Sequence, residues 1–382
     1  MNRQASSSSR KFFSVLLSLG MLLAAETLGQ AFYFARHFPK TYSQNYQPKT
    51  FTRFSIYGVY DYIPGVPVDL RGIGYPLNYL GVDQYGFVHN GYDRPLKEED
   101  EIVLLLGGST VEGRGASSNR NTIAATLERM LQGKFPGRPI RVLNGGRAGY
   151  FSYQELAFLS GKIPQLLKPR VVISLNGRND ADLPAGYADF GWKPNWKPYF
   201  DTLTRDVNRR ILQVAHPLLE FREWLIAHSI IAGTLSRILR PAPPVSFYAP
   251  QEKSPRPEIL SRAARAYLAN HAVAHAAART LGASYYAFLQ PILLESQKPL
   301  TPEEKKIQEE WGKHYKGPFF WPALEIFYAE VLRQAGGMDF FHDLSRIFQK
   351  VPGKVYWDNC HYTDYGNELI ARQILAEIVK DF

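Results

Sequence analysis

Short apolar runs alternate with amphipathic stretches through much of this chain, and that rhythm leaves few folds open to it. Ile102-Val103-Leu104-Leu105-Leu106 follows a charged Lys-Glu-Glu-Asp-Glu segment and holds no polar residue. Val171-Val172-Ile173-Ser174-Leu175 is nearly as apolar. Runs of this length without alternation predict strands buried on both faces. Pro139–Leu143 and Ser284–Leu289 are further strand candidates. Helices are predicted between them: over 120–134, with Thr122, Ile123, Ala125, Leu127, Met130 and Leu131 on one stripe; over Tyr153–Leu167, ended by Pro169; and over 257–281. Strands that alternate with helices predict a mostly parallel, doubly wound sheet of about five strands.

Further on, the pattern predicts helices over 302–336 and 339–349, a short strand near Val355 and a terminal helix from Asp364. Two regions depart from the rhythm. Residues 36–100 are rich in Tyr, Pro, Gly and Asp and read as a linker followed by short strands and turns that wrap the domain edge. Residues 185–256 hold Trp192 and Trp196, an amphipathic stretch from Leu203 to Leu239 and a loop with Pro241, Pro243, Pro244 and Pro250. They read as an insertion over the site within the 101–382 domain.

The formal charge is +10 over 382 residues, with no dense Lys/Arg run. Nucleic acid is not an expected partner; the excess reads as a basic surface that keeps the protein soluble, and is compatible with anionic sugars or a phospholipid surface. The single cysteine, Cys360, excludes an intramolecular disulfide. Residues 12–35 are largely apolar and follow Arg3, Arg10 and Lys11. About twenty such residues span a bilayer, and the preceding basic residues favour a cytoplasmic N-terminus. The expectation is an uncleaved single-pass anchor over 12–35, with 1–11 in the cytoplasm and the rest outside it. Glu26 is costly in mid-membrane, so the alternative is a signal peptide with its apolar region at 12–25.

Candidate chemistry gathers where strands are predicted to end. Asp358 stands three residues before His361 on a loop that leads into the last helix, so one turn can supply an imidazole base and the carboxylate that orients it. Gly107-Gly108-Ser109-Thr110 directly follows the first buried run and exposes a hydroxyl at the sheet edge. Position 111 is Val, which disfavours the Gly-x-Ser-x-Gly elbow. Asn144-Gly145-Gly146-Arg147-Ala148-Gly149-Tyr150 follows the second strand, and Asn176-Gly177-Arg178-Asn179-Asp180 the third. A glycine N–H, the Asn179 amide and the Ser109 N–H then make three donors for one developing oxyanion.

Plainer roles compete with these. Ser109 can be a helix N-cap, Asn179-Asp180 an Asx turn, and Asp358 with His361 turn and cap residues, although Thr363 or Asp364 can fill that cap. Cys360 reads as a small packing residue. His271 and His275 have a four-residue spacing but no intervening glutamate, so no metal is expected. Trp192 and Trp196 either stack on sugar rings or pack as a lid. Arg147 and Arg178 lie in the oxyanion loops, and either contact an anionic acyl-sugar or form salt bridges within the domain.

With these blocks in hand, the chain resembles the SGNH (GDSL-type) hydrolase superfamily. The four blocks occur in order: Gly107-Gly108-Ser109-Thr110, Asn144 to Gly149, Gly177-Arg178-Asn179-Asp180, and Asp358 to His361. Gly108 replaces the aspartate usual before the serine. The resemblance covers roughly 100–182 and 284–382. It implies a flavodoxin-like three-layer α/β/α sandwich, with Ser109 as nucleophile, His361 as base, Asp358 as its orienter, and Ser109, Gly149 and Asn179 as the oxyanion hole. No cofactor is implied. The anchor and insertion resemble membrane-bound members of bacterial envelopes, which places the domain outside the cytoplasm on the inner membrane. The implied substrate is an O-acetyl or short-acyl ester, small or polymeric, of an envelope or extracellular glycan. A glycan O-acetyltransferase with the same triad, or a non-catalytic tethered glycan-binding or assembly protein, are the alternatives.

Overall fold

A computed structural model describes residues 12–15, 17–18, 20–22, 24–28, 52–55, 59–71, 74–92, 94–181, 229, 257–314 and 317–382. The chain falls into two compact units, Met1–Pro48 with Asn195–Ser246 and Lys49–Pro194 with Phe247–Phe382. In the first, the described residues within 12–28 are helical, and Ser229 Oγ donates to Glu26 Oε2 at 3.1 Å. No helix among the described residues is long and apolar enough to cross a membrane. Residues 16, 19, 23 and 29–35 of the anchor expected over 12–35 lie outside the described residues. Trp192, Trp196 and all of the expected insertion over 185–256 except Ser229 lie outside the described residues, as does the linker up to residue 51.

The second unit begins with two hairpins. Strand β1 (Thr52–Ser55) pairs antiparallel with β2 (Val59–Tyr62), and β3 (Val68–Asp69) with β4 (Tyr79–Leu80). These are the short strands expected at the domain edge. Tyr62, Val68, Leu70, Leu80, Val82 and Val88 bury a small core of their own. Val88 N–H donates to Asn144 O at 3.1 Å, which docks this segment on the main sheet.

The main sheet has five strands: β5 (Glu101–Gly107), β6 (Ile140–Asn144), β7 (Val171–Asn176), β8 (Ser284–Leu289) and β9 (Phe341–Asp343). All neighbours are parallel in the order β6-β5-β7-β8-β9, the order of flavodoxin-like folds. The apolar runs follow from their place. In β5, Val103 and Leu105 enter one core with Val142, Ile173 and Phe288, while Ile102, Leu104 and Leu106 enter the opposite core with Leu143, Val172 and Ala287. A strand with helices on both faces has no wet side and so shows no alternation.

Helices α2 (Ile123–Lys134) and α7 (Asp364–Ile378) cover the first face through Ile123, Leu127, Leu131, Ile370 and Ile374. On the other face lie α3 (Ser152–Ala157) and α4 (Pro257–Thr280), the latter through Ala274 and Ala278. Helix α6 (Gly317–Gln334) packs beside α4 through Leu324, Phe327 and Val331, and α5 (Pro302–His314) precedes it. The four-residue α1 (Ser109–Glu112) directly follows β5.

Three expectations are corrected. The helix expected over Tyr153–Leu167 is α3 followed by a π-helical turn at Phe158–Lys162 and a 3-10 turn at Ile163–Gln165. Pro164 has no N–H to extend a helical ladder. The helix expected over 339–349 is instead the edge strand β9 and the turns after it. Near Val355 there is a single bridge between Tyr356 and Tyr362.

Candidate active site

Strands β5, β6 and β7 deliver three loops to one end of the sheet. Ser109 opens α1 just beyond β5, and Gly108 before it offers no side chain to cap the helix. The Ser109 N–H, in the first turn, thus has no intrahelical acceptor. The loop from 145 docks on this turn. Gly145 N–H donates to Leu105 O at 2.7 Å, Arg147 N–H to Gly107 O at 3.0 Å, and Gly146 N–H to Asn144 Oδ1 at 3.0 Å. A Cβ at Gly146 would stand 2.1 Å from the Glu112 nitrogen, so only glycine fits this approach. Gly149 differs: it is exposed, with φ 75° and open space around it. Its N–H has no partner among the described residues.

Asn179 Nδ2 donates to Tyr150 O at 2.7 Å. That bond uses one amide hydrogen and holds the other in a fixed direction. The same nitrogen lies 2.5 Å from where a Cβ on Gly108 would stand, so the amide presses on the residue before Ser109. Asp180 tethers the loop to α3: Ser152 Oγ donates to Asp180 Oδ1 at 2.5 Å, and Ser152 N–H to the same oxygen at 3.1 Å. Burial pushes the Asp180 carboxyl up to about 6, against the pull of these donors.

His361 arrives from the C-terminal side. Its Nε2 lies 2.7 Å from Ser109 Oγ, and its Nδ1 lies 2.6 Å from Asp358 Oδ2. The three-residue spacing has a local cause. Asp358 Oδ1 accepts the N–H groups of Cys360 at 2.9 Å and His361 at 2.8 Å, which curls the backbone and turns Oδ2 to the ring. Trp357 N–H donates to His361 O at 2.8 Å and closes the turn. Thr363, whose hydroxyl accepts from Gly366 N–H at 3.3 Å, caps α7, so neither Asp358 nor His361 serves as that cap.

The electrostatics fix the tautomer. An ionised carboxylate can only accept, so Nδ1 carries hydrogen, and once the imidazole is neutral its Nε2 lone pair faces the serine hydroxyl. Burial alone would push the imidazole down, but the Asp358 charge outweighs it and raises His361 to about 10. Asp358 moves the other way: burial opposes ionisation, but His361 and the two N–H donors hold the carboxyl well below its usual range.

Sequence reasoning missed Tyr75, from the edge segment. Its hydroxyl lies 3.3 Å from His361 Nδ1 and 3.4 Å from Asp358 Oδ2. Nothing near Tyr75 in the chain marks it among so many tyrosines.

Arg147 is not brought to the cleft. It is fully buried, with Nε and Nη2 donating to Asp61 Oδ1 at 3.0 and 2.8 Å and Nη2 also to Gly86 O at 2.7 Å. Lys162 pairs with the same carboxylate. Burial would raise Asp61, but the two cations win and lower it. Of the two roles open to Arg147, substrate contact gives way to the salt bridge within the domain, which ties the loop after β6 to β2. Arg178 is 6% exposed, and its charge reaches the Tyr328 hydroxyl.

His271 Nδ1 lies 2.7 Å from Tyr285 Oη and Nε2 lies 3.1 Å from Asn176 Oδ1, so both ring nitrogens are engaged inside the protein. His275 packs on Phe340 at 4.5 Å between ring centroids. Cys360 is buried in the core formed with α4 and α6. Asp358, Cys360 and His361 bring donor atoms within 4.8 Å of one another. A metal there would break the Asp358–His361 hydrogen bond that defines the site.

No protein-family model matches this chain, and no curated protein does. Solved structures that it is similar to include a lipase from a goat rumen metagenome, at 14% identity and TM-score 0.40 over 72% of this chain and 96% of that one. A lipase/acylhydrolase from Enterococcus faecalis matches at 12% identity and TM-score 0.37, over 73% and 95%. An acetylxylan esterase from Geobacillus stearothermophilus matches at 16% identity and TM-score 0.35, over 73% and 94%.

Proposed function

We propose that this protein is a serine-dependent ester hydrolase whose substrates are O-acetyl or short-acyl esters of envelope or extracellular glycans. One observation carries the reading: Ser109 Oγ, His361 and Asp358 form a continuous hydrogen-bonded line, with 2.7 Å and 2.6 Å between successive partners. As His361 Nε2 takes its proton, Ser109 Oγ attacks the ester carbonyl and the carbonyl π pair moves to oxygen. The resulting oxyanion is received by the N–H groups of Ser109 and Gly149 and the second hydrogen of Asn179 Nδ2. Collapse breaks the ester C–O bond, and the imidazolium returns its proton to the departing sugar oxygen. Water then attacks the acyl-serine with His361 again as base, releasing the acid and restoring Ser109. Arg178, on the Asn179 loop, is the cation this reading keeps near an anionic substrate.

The glycan preference and the location belong to the same proposal. Phe12, Phe13, Val15, Leu17, Met21, Leu22 and Leu28 are each more than half exposed. Such a surface on a helix calls for an apolar surrounding. It is compatible with tethering to a membrane, and the bacterial inner membrane, with the catalytic domain outside the cytoplasm, is the location proposed. Acetate release from a panel of acetylated polysaccharides tests the substrate class. Release by the wild type and none by Ser109→Ala supports it; equal background release by both rejects it. Membrane fractionation of the full chain tests the tether.

A further inference from the structure

We propose that Tyr75 is a positioning residue for the Asp358–His361 pair, donating its hydroxyl to Asp358 Oδ2. The proposal rests on the reading of Ser109, His361 and Asp358 as catalytic. The geometry is specific. The Tyr75 hydroxyl sits 3.4 Å from Asp358 Oδ2 and 3.3 Å from His361 Nδ1, and its ring meets the imidazole edge-on, 5.4 Å between centroids at 80°. Nδ1 already carries the hydrogen given to Asp358, so the carboxylate oxygen is the acceptor open to the phenol. Burial and the nearby Asp358 charge both push the phenol up, so it remains a neutral donor.

Tyr75 is held from the helix that carries the nucleophile. The Arg114 guanidinium lies 5.7 Å over the Tyr75 ring, and Arg114 Nε donates to Glu112 Oε2 at 3.0 Å. Glu112 is fully buried on α1, where the Tyr62 hydroxyl donates to its other oxygen. The edge segment is thus fastened to α1 at Tyr62 and reaches across to the dyad at Tyr75. A residue shared between two halves of a site can keep their separation constant.

The electrostatic consequence has a sign. Ser109, Tyr75 and the Cys360 thiol, whose Sγ is 3.7 Å from Nδ1, face the pair, and Arg114 faces Tyr75. A donor on Oδ2 spreads the carboxylate charge and weakens its hold on a protonated imidazole. Removing only that hydroxyl, by Tyr75→Phe, leaves His361 more basic.

Two readouts of Tyr75→Phe test this. The acid limb of kcat/KM on 4-nitrophenyl acetate is expected to move to higher pH by about half to one unit. The imidazole titration of His361, followed by NMR in histidine-labelled full-length protein, is expected to move with it. The second readout does not depend on turnover. Fluorophosphonate labelling of the wild type separates the outcomes. With labelling present, a limb and a titration that coincide with the wild type overturn the role of Tyr75 and leave the catalytic reading intact. With labelling absent, the catalytic reading fails and this proposal falls with it.

Discussion

Gly146 lies against the backbone of Glu112, so close that a Cβ would stand 2.1 Å from the Glu112 nitrogen and 2.6 Å from its Cα. This contact seats the loop after β6 on the helix that begins with Ser109. Gly146→Ala places a methyl where backbone must yield, and overpacking of this kind costs about 1–3 kcal/mol. Urea unfolding is expected to show that loss, together with a fall in esterase activity. An unchanged midpoint means that the loop is not docked in this way.

Asn179 has its amide set by Tyr150 O, which leaves one hydrogen for the proposed oxyanion. Asn179→Ala is expected to lower kcat by on the order of 10²–10³, the usual cost of one oxyanion donor. KM should move far less, because the donor acts on charge that develops after binding. Steady-state kinetics on a chromogenic acetate checks this; a loss confined to KM speaks for a substrate-binding role instead.

The Asp358 charge makes His361 hard to deprotonate. With His361 as the proposed base, activity needs the neutral imidazole, so kcat/KM is expected to rise with pH along a limb well above the ordinary histidine value of about 6.5. Asp358→Asn should lower that limb and reduce kcat by on the order of 10⁴. Stability follows with its own sign. The raised His361 contributes stability present below about 6.5 and lost as pH climbs through about 10. The depressed Asp358 contributes stability present above its ordinary range and lost as pH falls well below it. A wild-type limb at or below the ordinary histidine value contradicts this electrostatic account.

Glu155 is buried on α3, and burial pushes its carboxyl up to about 8 despite hydrogen bonds from Ser174 and Asn176. Its Oε1 has no partner among the described residues. The folded protein therefore keeps a proton that the unfolded chain gives up, and stability falls as pH rises from about 4.5 towards 8. Glu155→Gln should flatten that slope. Urea midpoints at pH 5 and pH 8.5 measure it, and parallel curves for the two proteins contradict the assignment.

Strands β5, β7 and β8 could be read almost to the residue, because a strand covered on both faces must be apolar throughout. The stretch 339–349 misled for a related reason. Phe340, Phe341, Leu344, Ile347 and Phe348 have helical spacing, whereas a three-residue edge strand is too short to show a period of two. Ser109, Asn179 and His361 were legible because each stands just beyond a buried run or just before a capped helix. Arg147 was not: its partner Asp61 lies 86 residues earlier, in a segment without periodicity. Tyr75 and His361 are 286 residues apart, and no local pattern carries such a contact.

The most direct measurement is the site of covalent modification by a fluorophosphonate probe, located by peptide mass spectrometry on folded protein. The account predicts an adduct on Ser109 in the wild type, none there in Ser109→Ala, and much slower labelling in His361→Ala. A folded wild type whose Ser109 stays unmodified, while a trypsin control is labelled, contradicts it.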